Sequence, residues 1–111
     1  MPHKVLISIE NKDIAQVMLT SLRREGLEVQ VHASKPHAIG HITHSKPDIV
    51  ITDSRSNYEV LTTAIGQQIP VIVADDESKS REAHDMGASL FVTMPDQVVQ
   101  MGYLTKTELQ Y

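Results

Sequence analysis

Three acidic side chains in this chain directly follow apolar runs, and carboxylates so placed could do chemistry. Asp53 closes the segment 46–55, KPDIVITDSR: Pro47-Asp48 precede Ile49-Val50-Ile51, then Thr52 and Asp53. Glu10 follows KVLISI at 4–9, and Asp75 follows PVIVA at 70–74. A short β-branched run bounded by breakers reads as a strand buried on both faces, near the middle of a parallel sheet. Open α/β sheets place their ligand crevice beyond the carboxyl ends of the strands, where Glu10, Asp53 and Asp75 fall. Three carboxylates converging there would hold a divalent cation or raise one another's pKa. The plainer alternatives are a solvated Asp53 in a loop and an Asp75-Asp76 pair turned outward to cap the next helix.

Histidine supplies the second pattern. His37, His41 and His44 recur at i, i+4 and i+7, one face of a helix, with Ala38, Ile39 and Ile42 opposite. A His-x3-His pair can chelate zinc or nickel. With no carboxylate or cysteine at the same spacing, a solvated stripe is the preferred reading. His32 and His84 have no visible partner. The chain has no cysteine, which excludes disulfides, thiolate chemistry and cysteine-based zinc sites. The turn Glu10-Asn11-Lys12 lacks glycine, so it carries no dinucleotide fingerprint, and neither a phosphate loop nor a nucleophile elbow occurs.

The elements that must position these residues alternate. Strands are expected at 4–9, 27–33, the run ending at Asp53, 70–74 and 88–93. Residues 27–33 (LEVQVHA) alternate apolar and polar, as an edge strand with one wet face does. Helices are expected at 13–25, from Ser34 to about Ser45, at 57–66, at 78–86 and at 96–104. Asn11 or Asp13 caps the first, Gly26 stops it, Ser34 caps the second with Pro36 in its first turn, and Gly87 stops the fourth. From Thr105 the chain is polar and is expected to fray. Five strands alternating with five helices require right-handed crossovers and a parallel sheet sandwiched by helices.

At 111 residues the chain fits one domain, 1–111, with a core at about 4–104 and a polar tail at 105–111. A net charge of −4 argues against nucleic acid, which demands a basic patch. One Phe, three Tyr and no Trp leave little for a base-stacking platform. No apolar run approaches the roughly 20 residues of a membrane span, and no signal peptide is visible at the start. The composition fits the cytoplasm.

KPDIVITD at the third strand, IPVIV at the fourth and MGASLFVTMP around the fifth resemble the response-regulator receiver (CheY-like) domain, over nearly the whole chain from Lys4 to about Leu104. The resemblance implies a flavodoxin-like fold: a five-stranded parallel sheet in the order 2-1-3-4-5, two helices on one face and three on the other. It implies two-component signalling, with Asp53 as phosphoacceptor from a histidine kinase. Two acidic residues ending the first strand would hold Mg²⁺; the chain has Ile9 and Glu10 there, leaving Glu10 and Asp53 as metal ligands. A Ser or Thr ending the fourth strand bonds the phosphoryl oxygen in the family, and Asp75 stands in its place. A lysine ending the fifth strand neutralises phosphoryl charge, and Met94 replaces it before the expected Pro95. The loops after Asp53 and after the fourth strand are short.

Phosphoryl transfer to a carboxylate rests on positioning and charge neutralisation. Met94 removes a cation, and Asp75 replaces a hydroxyl donor with an anion. Two like charges ~4 Å apart cost about 4 kcal/mol at an effective dielectric of 20, or roughly three decades in rate. Ile9 offers no oxygen to Mg²⁺. The first expectation is therefore a degenerate pseudo-receiver that is not an enzyme. It would act on a protein partner (a histidine kinase or a downstream regulator) or as a homodimer, without nucleic acid, membrane or required cofactor. The second is a working phosphoacceptor on Asp53 with Mg²⁺. The third is a metal-dependent enzyme built on Glu10, Asp53 and Asp75.

Overall fold

A computed structural model describes residues 3–55 and 58–109. Its strands are β1 (Lys4–Ser8), β2 (Glu28–Val31), β3 (Ile49–Thr52), β4 (Val71–Asp75) and β5 (Leu90–Thr93). They pair in parallel in the order β2-β1-β3-β4-β5. The helices are α1 (Lys12–Arg24), α2 (Lys35–Ser45), α3 (Glu59–Gly66), α4 (Ser80–Asp85) and α5 (Met101–Leu109). The fold is the one the alternating pattern required.

Burial follows position in the sheet. Every side chain of β3 is buried, whereas β2, at the edge, buries only Val29. Alternate strand residues feed two cores. Val5, Ile7, Ile49, Ile51, Ile72 and Val92 pack with Met18 and Leu22 of α1 and Met101 of α5. Leu6, Val50, Val71 and Val73 pack with Ile42 of α2, Leu61 of α3 and Ala83 of α4. Two helices therefore cover one face and three the other.

Element ends differ from expectation for local reasons. β2 is shorter than 27–33 because its only partner, β1, runs out at Ser8, with Ile7 opposite Val31. Asn11, not Asp13, caps α1: its Oδ1 accepts from the amides of Asp13 and Ile14 at 3.0 and 3.1 Å. Ser34 stands at the N-cap of α2 without a side-chain cap bond. The expected start of α3 at Asn57 lies outside the described residues; the helix is led by Tyr58 in a left-handed conformation, φ 61°. α4 begins with a 3-10 turn, Glu77–Lys79, set by the Asp76 carboxylate accepting from the Ser78 amide at 2.8 Å.

The chain's end is a correction. α5 starts later than 96, after a 3-10 turn at Val98–Gln100, and extends into the tail expected to fray, as far as Leu109. Thr105 is fully buried and Leu109 packs on the α1/α5 core. α5 seats closely on α1: the Ser21 hydroxyl accepts from the Gly102 amide at 2.8 Å and donates to the Val99 carbonyl at 3.1 Å. A Cβ on Gly102 would overlap the Ser21 backbone carbonyl. Gly102→Ala is therefore expected to cost roughly 3 kcal/mol by forcing the helices apart, read as a lowered urea midpoint with an unchanged slope.

Candidate functional site

The carboxyl ends of β1 and β3 open into a cleft of ≈ 180 Å³ lined by Ser8, Glu10, Ala33, Lys35, Thr52, Asp53 and Arg55. The register explains its floor. Ser8 lies opposite Thr52 in the β1–β3 ladder, and the Thr52 hydroxyl donates to the Ser8 carbonyl at 3.1 Å. Asp53 is the next residue, 6 % exposed, with one carboxylate oxygen accepting from the Arg55 amide at 3.1 Å. Burial pushes its carboxyl above the ordinary range, against the pull of that amide, and the Asp75 charge pushes the same way.

Glu10 and Asp75 take separate partners. Glu10 forms an exposed ion pair with Arg55 at 2.8 Å, a type of contact that contributes little to stability. Asp75 turns to the start of the β3–α3 loop. One of its oxygens accepts from both the amide and the hydroxyl of Ser54, at 2.9 and 2.6 Å. The other accepts from the Asp76 amide at 2.7 Å. Burial raises the Asp75 carboxyl, but the Ser54 and Asp76 bonds together with Lys79 outweigh it and leave its pKa lowered.

The expected three-carboxylate cluster is thus not assembled, because each member points at a different donor. Among the described residues no three His, Asp or Glu side chains stand in metal-holding geometry. Ile9 is 1 % exposed in the α1/α5 core and does not line the cleft. Glu10 and Asp53 both line the cleft, where Arg55 pairs with the Glu10 carboxylate and donates its amide to Asp53. Met94 packs against the same core and does not line the cleft. The expectation that Asp75-Asp76 caps the next helix holds for Asp76 alone.

Three participants were not evident from sequence: Ser54, which holds Asp75, and the two cations at the cleft, Lys35 and Arg55. Lys35 also pairs with Glu59 at 3.3 Å. Arg55 follows Asp53 by two residues, but its turn toward Glu10 depends on the path of the loop. His37 and His44 are exposed and His41 is half-buried. His32, thought partnerless, lies against His37 and His41.

No family model matches the chain, and no curated protein does. Solved structures match over its whole length. A candidate response regulator from Chloroflexus aurantiacus superposes with a TM-score of 0.87 at 23% identity, covering 100% of both chains. A CheY-like response regulator receiver domain protein from Methanospirillum hungatei gives 0.85 at 18% identity, covering 99% of this chain and 95% of that one. HP1043, an orphan response regulator of Helicobacter pylori, gives 0.84 at 16% identity, covering 96% of each. The chain has the receiver-domain fold. At these identities the likeness is one of fold. No helix among the described residues is long and apolar enough to cross a membrane.

The two aspartates are expected to affect stability with opposite sign. Asp53 has a raised folded-state pKa, so its contribution is present at acid pH and lost as pH rises through that pKa. Asp53→Asn should be more stable than the parent at pH 7, by about 1 kcal/mol, and the gain should vanish in acid. Asp75 has a lowered folded-state pKa, so its contribution is present at neutral pH and lost as pH falls through that pKa. Asp75→Ala should lose about 1–3 kcal/mol at pH 7, with a deficit that narrows in acid. Thermal melts of both variants across the acid range test the two signs.

Proposed function

We propose that this chain is a receiver-like regulatory module of two-component-type signalling that works without phosphorylation, by contact with a protein partner or a second copy. The Asp75 clamp is the observation that carries this reading. The resemblance assigns that position to a hydroxyl that moves to donate to a phosphoryl oxygen. Asp75 is instead an ionised acceptor already engaged by three donors. With its pKa lowered it carries no proton to donate at neutral pH. A phosphoryl group on Asp53 would meet an anion at the end of β4 and no lysine at the end of β5. Ser54, at the start of the loop after β3, is therefore tied to the end of β4. In this reading the chain is not an enzyme and requires no Mg²⁺.

One observation favours the alternative, phosphorylation of Asp53. Lys35 and Arg55 line the cleft with it and could neutralise phosphoryl charge. Amide NMR spectra with Mg²⁺ and then beryllofluoride, a phosphoryl mimic, separate the two. The parent is expected to show no shifts spreading into β4 and β5. The double variant Asp75→Ser with Met94→Lys, which restores the hydroxyl and the cation, is expected to respond more strongly. Shifts running from Asp53 through β4 and β5 in the parent would overturn the proposal.

A further inference from the structure

At the β2 edge of the sheet, apart from the acidic cleft, three imidazoles meet. His32 follows β2 directly, and its amide donates to the Ile7 carbonyl at 2.9 Å, so the sheet fixes its backbone. His37 and His41 sit one turn apart on α2, the spacing at which two helix residues share a face. The His32 and His41 rings have centroids 5.0 Å apart, tilted by 41°. The His32 and His37 centroids are 6.5 Å apart.

We propose that His32 and His41, with His37 as a third arm, chelate a divalent transition-metal ion of the Zn²⁺ type. Imidazole is the ligand such ions prefer over carboxylate-bound Mg²⁺ or Ca²⁺. Two imidazole nitrogens at about 2.0–2.1 Å from one tetrahedral ion put their ring centroids roughly 5 Å apart, the separation His32 and His41 already have. His37 stands wider but is exposed, so a rotation about its side-chain torsions brings it in. The resting site is accordingly a two-imidazole chelate rather than an assembled trio. Lys4 on β1 opposes a cation here. Glu28, its register partner on β2, borders the same surface hollow as Lys4 and His41 and offsets that charge.

Ligation would join the end of β2 to α2 across residues 33–36. Ala33 and Lys35 of that connection line the Asp53 cleft, so metal occupancy at the edge would stiffen one wall of it. The site does not depend on whether Asp53 is phosphorylated.

Zinc chloride titrated into the full chain tests this by thermal melting and NMR. Zn²⁺ is expected to raise the melting temperature by several degrees and to move the His32 and His41 ring signals. Mg²⁺ should do neither. His32→Gln and His41→Gln should each abolish the zinc shift, His37→Gln should weaken it, and His44→Gln should leave it intact. The zinc shift should weaken as pH falls, because protons compete with the metal for the imidazole nitrogens. If His41→Gln fails to fold without metal, His32→Gln decides. No zinc shift in the parent, an undiminished shift in His32→Gln, or shifts centred on Glu10 and Asp53 would overturn the proposal.

Discussion

The rest of the structure depends on β3 having no exposed side chain. Ile49, Val50 and Ile51 are all 0 % exposed, and each contributes about 1.5–3 kcal/mol by leaving water. A strand so apolar has to be flanked on both edges and covered on both faces. Its pairing with β1 and β4 is in turn fixed by alternation, since a slip of one residue would exchange the contents of the two cores. That register sets Ser8 beside Thr52 and brings Asp53 to the rim between β1 and β4. The cleft is thus a consequence of core packing: the side chains that line it stand where the buried ladder ends.

At that rim two aspartates of the same intrinsic acidity shift in opposite directions. Asp53 is the more deeply buried, and the pull of the Arg55 and Glu10 amides does not offset the cost of desolvation. Asp75 accepts from two amides and a hydroxyl, and these outweigh its burial. The difference comes from the number of donors each can reach. Ser54 follows Asp53 immediately and directs both its amide and its hydroxyl to the aspartate of the neighbouring strand.

Much of the fold was legible because its signals are local and repeated. Ile49–Thr52 reads as a buried strand from composition alone, and Gly26 and Gly87 stop helices with φ of 79° and 107°. Element ends were less legible because they depend on partners distant in sequence. β2 stops where β1 does, and α5 persists past Leu104 because α1 and the core hold it, although its residues are polar. At the site, the strand-end positions of Glu10, Asp53 and Asp75 could be read, but their directions could not. A sequence gives which carboxylates lie near one edge; the donors that turn each one away from the others are set by loop geometry. The neighbour of His32 was illegible for the same reason, since His32 is close to His41 only across the β2–α2 connection.

The departures at Asp75 and Met94 are physically coupled. A lysine at the end of β5 would be attracted to a carboxylate at the end of β4 as well as to Asp53, drawing Asp75 from Ser54. With Met94 folded against the α1/α5 core, Asp75 meets Lys79 as its nearby cation and Ser54 as its donor. The positive charge around Asp53 now lies on the opposite side of the cleft, on Arg55 and on Lys35 of α2. A change in charge at Asp53 acts on Asp75 and on Arg55, the two charges coupled to it across the rim. The Glu10–Arg55 and Lys35–Glu59 pairs are exposed and readily rearranged, whereas Asp75 is held by Ser54. The charges on the β1 side of the rim are therefore the freer to move, and the one at the end of β4 is the more firmly held.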